Sequence, residues 1–194
     1  MKKILLMIVA VACFAVPASA QNWLETVKKV ATDVVDEATG GKLTAVAIVG
    51  TWEYKAAASR LEGDDVLKNV GGAVAGSAID TKLTGIYEKA GIKEGFCSIT
   101  FNSDGTFSMP VKSKSIAGTY VFEPSNHTIT LNVGKLGSFS GYAYISGTDL
   151  QIVFPVNRLM NFVTALGAKI SAFSTVTTLL SQYENAYLGF AFSR

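Results

Sequence analysis

Cysteine, histidine and proline are scarce in this chain, at two, one and four among 194 residues. Cys13 falls in the leader described below. Cys97 is then left without a partner, so the mature fold depends on no internal disulfide, although an exported compartment would permit one. With His127 as the one histidine, no His/Cys metal cluster can be assembled, and no metal or cofactor is expected. His127 stands at a turn-to-strand junction and reads as a solvated turn residue rather than a catalytic one. Charged residues make up 16% of the chain and the net charge is +2. No basic block or stripe is present, which argues against nucleic acid as a partner. The spacings of a phosphate loop, a dinucleotide fingerprint, a nucleophile elbow and an EF-hand are all missing. Most carboxylates, among them Asp64, Asp65, Asp104 and Asp149, fall in turns or helix starts. Without a poised constellation, the chain is not expected to be an enzyme.

What is present begins with a leader. Lys2-Lys3 is followed by an apolar run, Ile4 to Val16, that is too short to span a bilayer. Pro17-Ala18-Ser19-Ala20 then supplies a small-residue cleavage pattern. Residues 1–20 are therefore expected to be a secretory signal peptide, and residues 21–194 a single domain. Lipidation at Cys13 is the less favoured alternative, because the apolar core would then be very short. The expected localisation is exported, periplasmic or secreted, with no transmembrane anchor after cleavage.

Along the domain, residues 21–38 carry apolar side chains at helical spacing behind a capping box at Asn22 and Glu25. A strand follows at Ile48-Val49-Gly50-Thr51-Trp52-Glu53-Tyr54-Lys55. Its alternation places Trp52, Tyr54 and Ala56 on one face. Residues 61–91 turn helical, with Asp64 and Asp65 suited to the helix start. Gly71, Gly72 and Gly76 leave its middle nearly without bulk and predict a break or a close backbone approach.

From Gly95 the period becomes two. Phe96 to Phe101, Thr106 to Met109, Ile116 to Phe122, His127 to Val133, Ser138 to Ser146 and Leu150 to Phe154 read as consecutive strands. Asp104-Gly105 is a strong hairpin signal. Residues 155–182 give a helical pair, and Tyr187 to Arg194 alternates again. The fold class is mainly β: about eight antiparallel strands closed into a barrel, with an N-terminal helix, a helical insert after strand one and a helical pair before the last strand. The interior parity of Ser138 to Ser146 stays open, with Phe139 and Ile145 competing against Tyr142 and Tyr144.

Gly50-Thr51-Trp52 resembles the G-x-W signature of a lipocalin first strand. Phe101-Asn102-Ser103-Asp104-Gly105-Thr106-Phe107 is similar to the F-N-x-D-G-T-F hairpin of secreted bacterial lipocalin-like domains of unknown function. The resemblance implies structural roles for Gly50, Trp52 and Arg194, with Arg194 stacking over the indole. It departs from a typical lipocalin in the long insert after strand one.

The candidate barrel lining is Tyr54, Phe101, Phe107, Met109, Tyr120, Leu131, Ile152, Leu188 and Phe190. An almost chargeless interior suits a small apolar molecule, so the expected function is a non-enzymatic binder of such a ligand. The alternative is a filled barrel serving as a structural or protein-interaction module of the cell envelope, with an envelope protein as partner.

Overall fold

The structure, a computed structural model, describes residues 40–62, 66–111, 114–146, 148–166, 168–181, 183 and 185–194. The leader, the helix expected over residues 21–38 and the Asp64-Asp65 helix start lie outside the described residues.

Eight antiparallel strands close into a barrel in simple sequence order. They are β1 (Gly50–Glu62), β2 (Ser98–Phe101), β3 (Thr106–Val111), β4 (Lys114–Glu123), β5 (Thr128–Asn132), β6 (Ser138–Ser146), β7 (Asp149–Pro155) and β8 (Asn185–Ser193). Closure pairs β8 with β1, so the meander keeps no open flank along that seam. A short helix, α1 (Lys42–Ala47), precedes β1. The insert after β1 is α2 (Val66–Ala90), and α3 (Val156–Ala165) and α4 (Ser174–Leu180) lie between β7 and β8.

Alternation sets the core. On β5, Ile129 and Leu131 are buried between half-exposed neighbours. On β8 the inward set is Leu188, Phe190 and Phe192. The parity of β6 is settled in favour of Phe139 and Ile145, which are buried, while Tyr142 and Tyr144 lie on the outer face and are half-buried. The β2–β3 hairpin forms as expected. The Asp104 carboxylate accepts from the Thr106 N–H at 2.9 Å and from its hydroxyl, and these bonds hold the carboxyl below its ordinary range.

Three expectations are corrected. First, β1 runs on to Glu62, so Leu61 belongs to the strand and the helix starts at Val66. Second, a bulge shifts the β1–β8 register between Tyr54 and Ala56. The extra residue, Lys55, reaches the Asp149 carboxylate at 3.7 Å. Beyond it the parity inverts, so Ala57 is buried opposite Phe190 and Ala56 leaves the inner face. Third, the glycine-rich stretch does not break the insert: α2 is one continuous helix of 25 residues. Each glycine costs about 1 kcal/mol relative to Ala. That cost is met by burial of Ile79, Leu83, Ile86, Tyr87 and Ala90, an apolar face at helical spacing.

His127 stands in the turn before β5, as expected, but is less solvated than a free turn residue. It is half-buried, in the left-handed region (φ 56°), and stacks on Tyr144 with ring centroids 4.9 Å apart. The neighbouring Asn126 lies in the same turn, its side-chain oxygen accepting the Thr128 N–H.

Candidate functional site: a filled barrel and its two closures

The antiparallel order puts the start of β1, the β2–β3 and β4–β5 turns and the end of β8 at one end of the barrel. There α1 lies over Pro124, and its Thr44 hydroxyl accepts the Ile145 N–H at 3.2 Å. Trp52 is 2% exposed and donates its indole N–H to the Ile48 carbonyl at 2.8 Å. The Arg194 guanidinium lies 4.3 Å over the indole and donates to the Ala47 and Val49 carbonyls at 2.7 and 2.6 Å. Gly50 has φ 128°, a conformation that L side chains rarely adopt, and a Cβ there would meet the guanidinium at 3.0 Å. Gly50, Trp52 and Arg194 thus form one interlocked closure, in which ring, cation and backbone carbonyls hold one another.

Among the described residues, the barrel interior is packed. Around its waist Ile99, Met109, Leu131, Ile152, Phe154, Phe162, Phe190 and Phe192 surround a void of about 10 Å³. That is room for about one water molecule, far below the ~150 Å³ that holds a benzene. Of the nine lining candidates, Met109, Leu131, Ile152 and Phe190 border this void. Tyr54, Phe101, Phe107 and Leu188 are buried but do not border it. Tyr120 lies apart from it, half-buried at the Trp52 end. Its ring packs on Phe101 and its hydroxyl donates to the Asn102 carbonyl at 3.0 Å.

Two aromatic rings enter the interior from helices. Phe162 of α3 packs edge-on against Phe139 at 5.2 Å and Phe190 at 6.2 Å, and stacks on Phe154 at 6.4 Å. Tyr87 of α2 packs on Phe190 at 4.8 Å and donates its hydroxyl to the Gly189 carbonyl at 3.1 Å. A Cβ at Gly189 would collide with the Ile152 carbonyl, so only glycine fits where these elements meet. The apolar spacing of Leu159, Phe162 and Val163 showed that α3 has a core face; it could not show that the face fills the barrel.

The second end, where β1 finishes and β8 begins, is closed by helices. Since β2 pairs only with Gly50 to Glu53, α2 runs back along the uncovered half of β1. The seam between them is polar. Ser59 hydrogen-bonds the Asp80 carboxyl, whose Oδ1 has no hydrogen-bond partner. Burial raises this carboxyl from 3.8 to about 6, an effect the Ser59 bond only partly counters. The Thr84 hydroxyl faces Tyr54 but donates to the Asp80 carbonyl at 2.9 Å, and the buried Tyr54 hydroxyl makes no hydrogen bond. Burial pushes the Tyr54 and Tyr87 phenols well above their ordinary value. Sequence reasoning passed over Asp80, because Asp80-Thr81-Lys82 reads as a solvated helix face.

Burial also pushes the Cys97 thiol up to about 12, so it stays protonated and unreactive. Among the described residues, no three His, Cys, Asp or Glu side chains are grouped to hold a metal ion.

A closed eight-stranded antiparallel barrel, opened by a Gly-x-Trp step and locked by an arginine over the indole, is a lipocalin-like architecture. The chain belongs to the lipocalin-like domain family DUF4923, whose pattern matches residues 24–194. Among solved structures it is similar to a DUF4847 family protein from Bacteroides vulgatus, at 16% identity and a TM-score of 0.39, over 78% of this chain and 96% of that one. No curated protein matches.

Proposed function

We propose that the chain is a non-enzymatic, exported lipocalin-like module of the cell envelope, with a filled barrel that acts through its outer surface. The observation that carries this reading is the interior. Rings from β1, β8, α2 and α3 meet there and leave a void near 10 Å³ among the described residues. A ligand-holding barrel needs a pocket of roughly 300 Å³ or more. Native mass spectrometry of protein purified from an envelope fraction, paired with solvent extraction, tests the proposal. The expected result is the bare chain mass and an extract free of stoichiometric small molecules. A stoichiometric apolar compound released on denaturation would overturn it.

The second reading is a binder of a small apolar molecule that lifts α2 to enter. It is favoured by the polar seam: the Tyr54 hydroxyl and Asp80 Oδ1, both without hydrogen bonds, could meet the polar end of such a ligand.

A further inference from the structure

We propose that Asp80 is a proton-operated latch on α2: its neutral carboxyl lets the helix lie shut against β1, and loss of the proton makes α2 open locally more often. The seam between the two elements carries this inference. β2 covers β1 only over Gly50 to Glu53, and α2 packs along the rest of the strand. The face that α2 turns to the core is apolar, with Ile79, Leu83, Ile86, Tyr87 and Ala90 all buried. Asp80 is half-buried at the edge of that face, and its Oδ1 is buried without a hydrogen-bond partner. An ionised carboxylate offers about four lone-pair sites to donors. Ser59 meets this one from β1. The Thr84 hydroxyl is spent on the Asp80 main-chain carbonyl at 2.9 Å.

Among the described residues, no cation stands against the carboxyl. The titratable groups coupled to it are Tyr54 of β1 and Tyr87 of α2, and burial keeps both phenols protonated. The Cys97 thiol beside Tyr54 stays protonated as well. Lys82, Glu88 and Lys89 of α2 are exposed, as are Arg158 of α3 and Lys169 ahead of α4. α4 itself has no charged residue. On β1, Glu53 is exposed, Lys55 meets Asp149, and Arg60 lies over the Tyr144 ring.

The sign follows from burial, which lifts the carboxyl from 3.8 to about 6 while α2 is shut. Once α2 leaves β1, the carboxyl returns to its ordinary value. Below about pH 4 both forms are neutral and closure is firmest. Between about pH 4 and 6 only the open form gives up its proton, so closure weakens as pH rises. Above about pH 6 both forms are ionised and the change stops. A gap of about two pH units limits the rise in the open population to about a hundredfold. Solvent at the half-buried site brings it nearer tenfold. Opening takes Tyr87 off Phe190 and the Gly189 carbonyl, whatever the barrel interior holds.

The test is amide hydrogen exchange of the intact protein, followed by ¹⁵N–¹H NMR from pH 4 to 7.5. Rates are converted to protection factors, so that the intrinsic pH dependence of exchange cancels. Amides from Ile79 to Ala90 should be less protected than Ile129 and Leu131 of β5 at every pH, because they exchange through the local opening. Their protection should fall about tenfold between pH 4 and 6.5 and then level off. Asp80→Asn, which cannot ionise, should flatten that profile. Ser59→Ala removes the bond that favours the charged form and should move the fall to higher pH. If Asp80→Asn does not fold, the shift in Ser59→Ala decides. The latch is overturned if the wild-type α2 profile is flat, or if α2 is as protected as β5 and so opens only on global unfolding. It is equally overturned if Asp80→Asn keeps the wild-type profile, or if Ser59→Ala leaves the fall where it was.

Discussion

At the Trp52 end of the barrel, the indole N–H and the Arg194 guanidinium each meet backbone carbonyls within 2.8 Å. Along its seam with β1, α2 lays Asp80 and Thr84 against Ser59 and Tyr54, and leaves the Tyr54 hydroxyl and Asp80 Oδ1 without hydrogen bonds. Both ends exclude water from the same core, and the Trp52–Arg194 closure satisfies the polar groups it is built from. An unpaired buried polar atom costs about 1–3 kcal/mol. The helical closure is therefore the weaker of the two. If any part of the domain opens short of global unfolding, it is α2 moving away from β1 rather than α1 and Arg194 leaving Trp52.

The largest effect should come from the sealed end. Trp52→Ala removes the ring that Arg194 covers and should lower stability by about 3–5 kcal/mol, read as a fall in the denaturant midpoint at unchanged slope. Arg194→Ala keeps the ring but removes two charge-assisted bonds and a cation–π contact. A loss of about 1–2 kcal/mol is expected after solvent screening; no shift in midpoint would show that the chain end contributes nothing to the closure.

The helical end should respond with the opposite sign. Tyr54→Phe deletes a buried hydroxyl that bonds to nothing and should raise stability by about 1 kcal/mol. A destabilisation of similar size would mean that the hydroxyl has a partner in solution.

A further effect is on pH dependence. Asp80 binds its proton more tightly in the folded chain, at about 6 against 3.8. Its contribution to stability is therefore present below pH 4 and lost as pH rises through 6. Subtracting the melting-temperature profile of Asp80→Asn from that of the wild type should isolate this decline between pH 4 and 6. A flat difference would place the carboxyl in bulk solvent.

The barrel itself was legible because alternation is a local signal. Ile129 and Leu131, or Leu188 and Phe190, declare their face two residues at a time, and Asp104-Gly105 declares its hairpin. The bulge at Lys55 was not legible, because Ala56, Ala57 and Ala58 offer no contrast of size or polarity by which to see the parity invert. Nor was the filling of the interior. Strand parity says which side chains point inward, whereas packing depends on barrel width and on what the helices insert. Phe162 and Tyr87 were recognisable as members of apolar helix faces, but what those faces meet is set by tertiary contacts far apart in sequence. Asp80 was hidden for the same reason, being a polar residue in a polar run that folding turns toward Ser59.

Xenon binding followed by ¹²⁹Xe NMR bears most directly on whether the barrel is full. Xenon enters apolar cavities of the size left by a deleted large side chain. The wild-type protein should show only weak, non-saturable surface contact, whereas Phe162→Ala, which empties the centre of the barrel, should show a saturable bound resonance. A saturable interior resonance in the wild type would contradict the filled barrel and favour the ligand-binding reading.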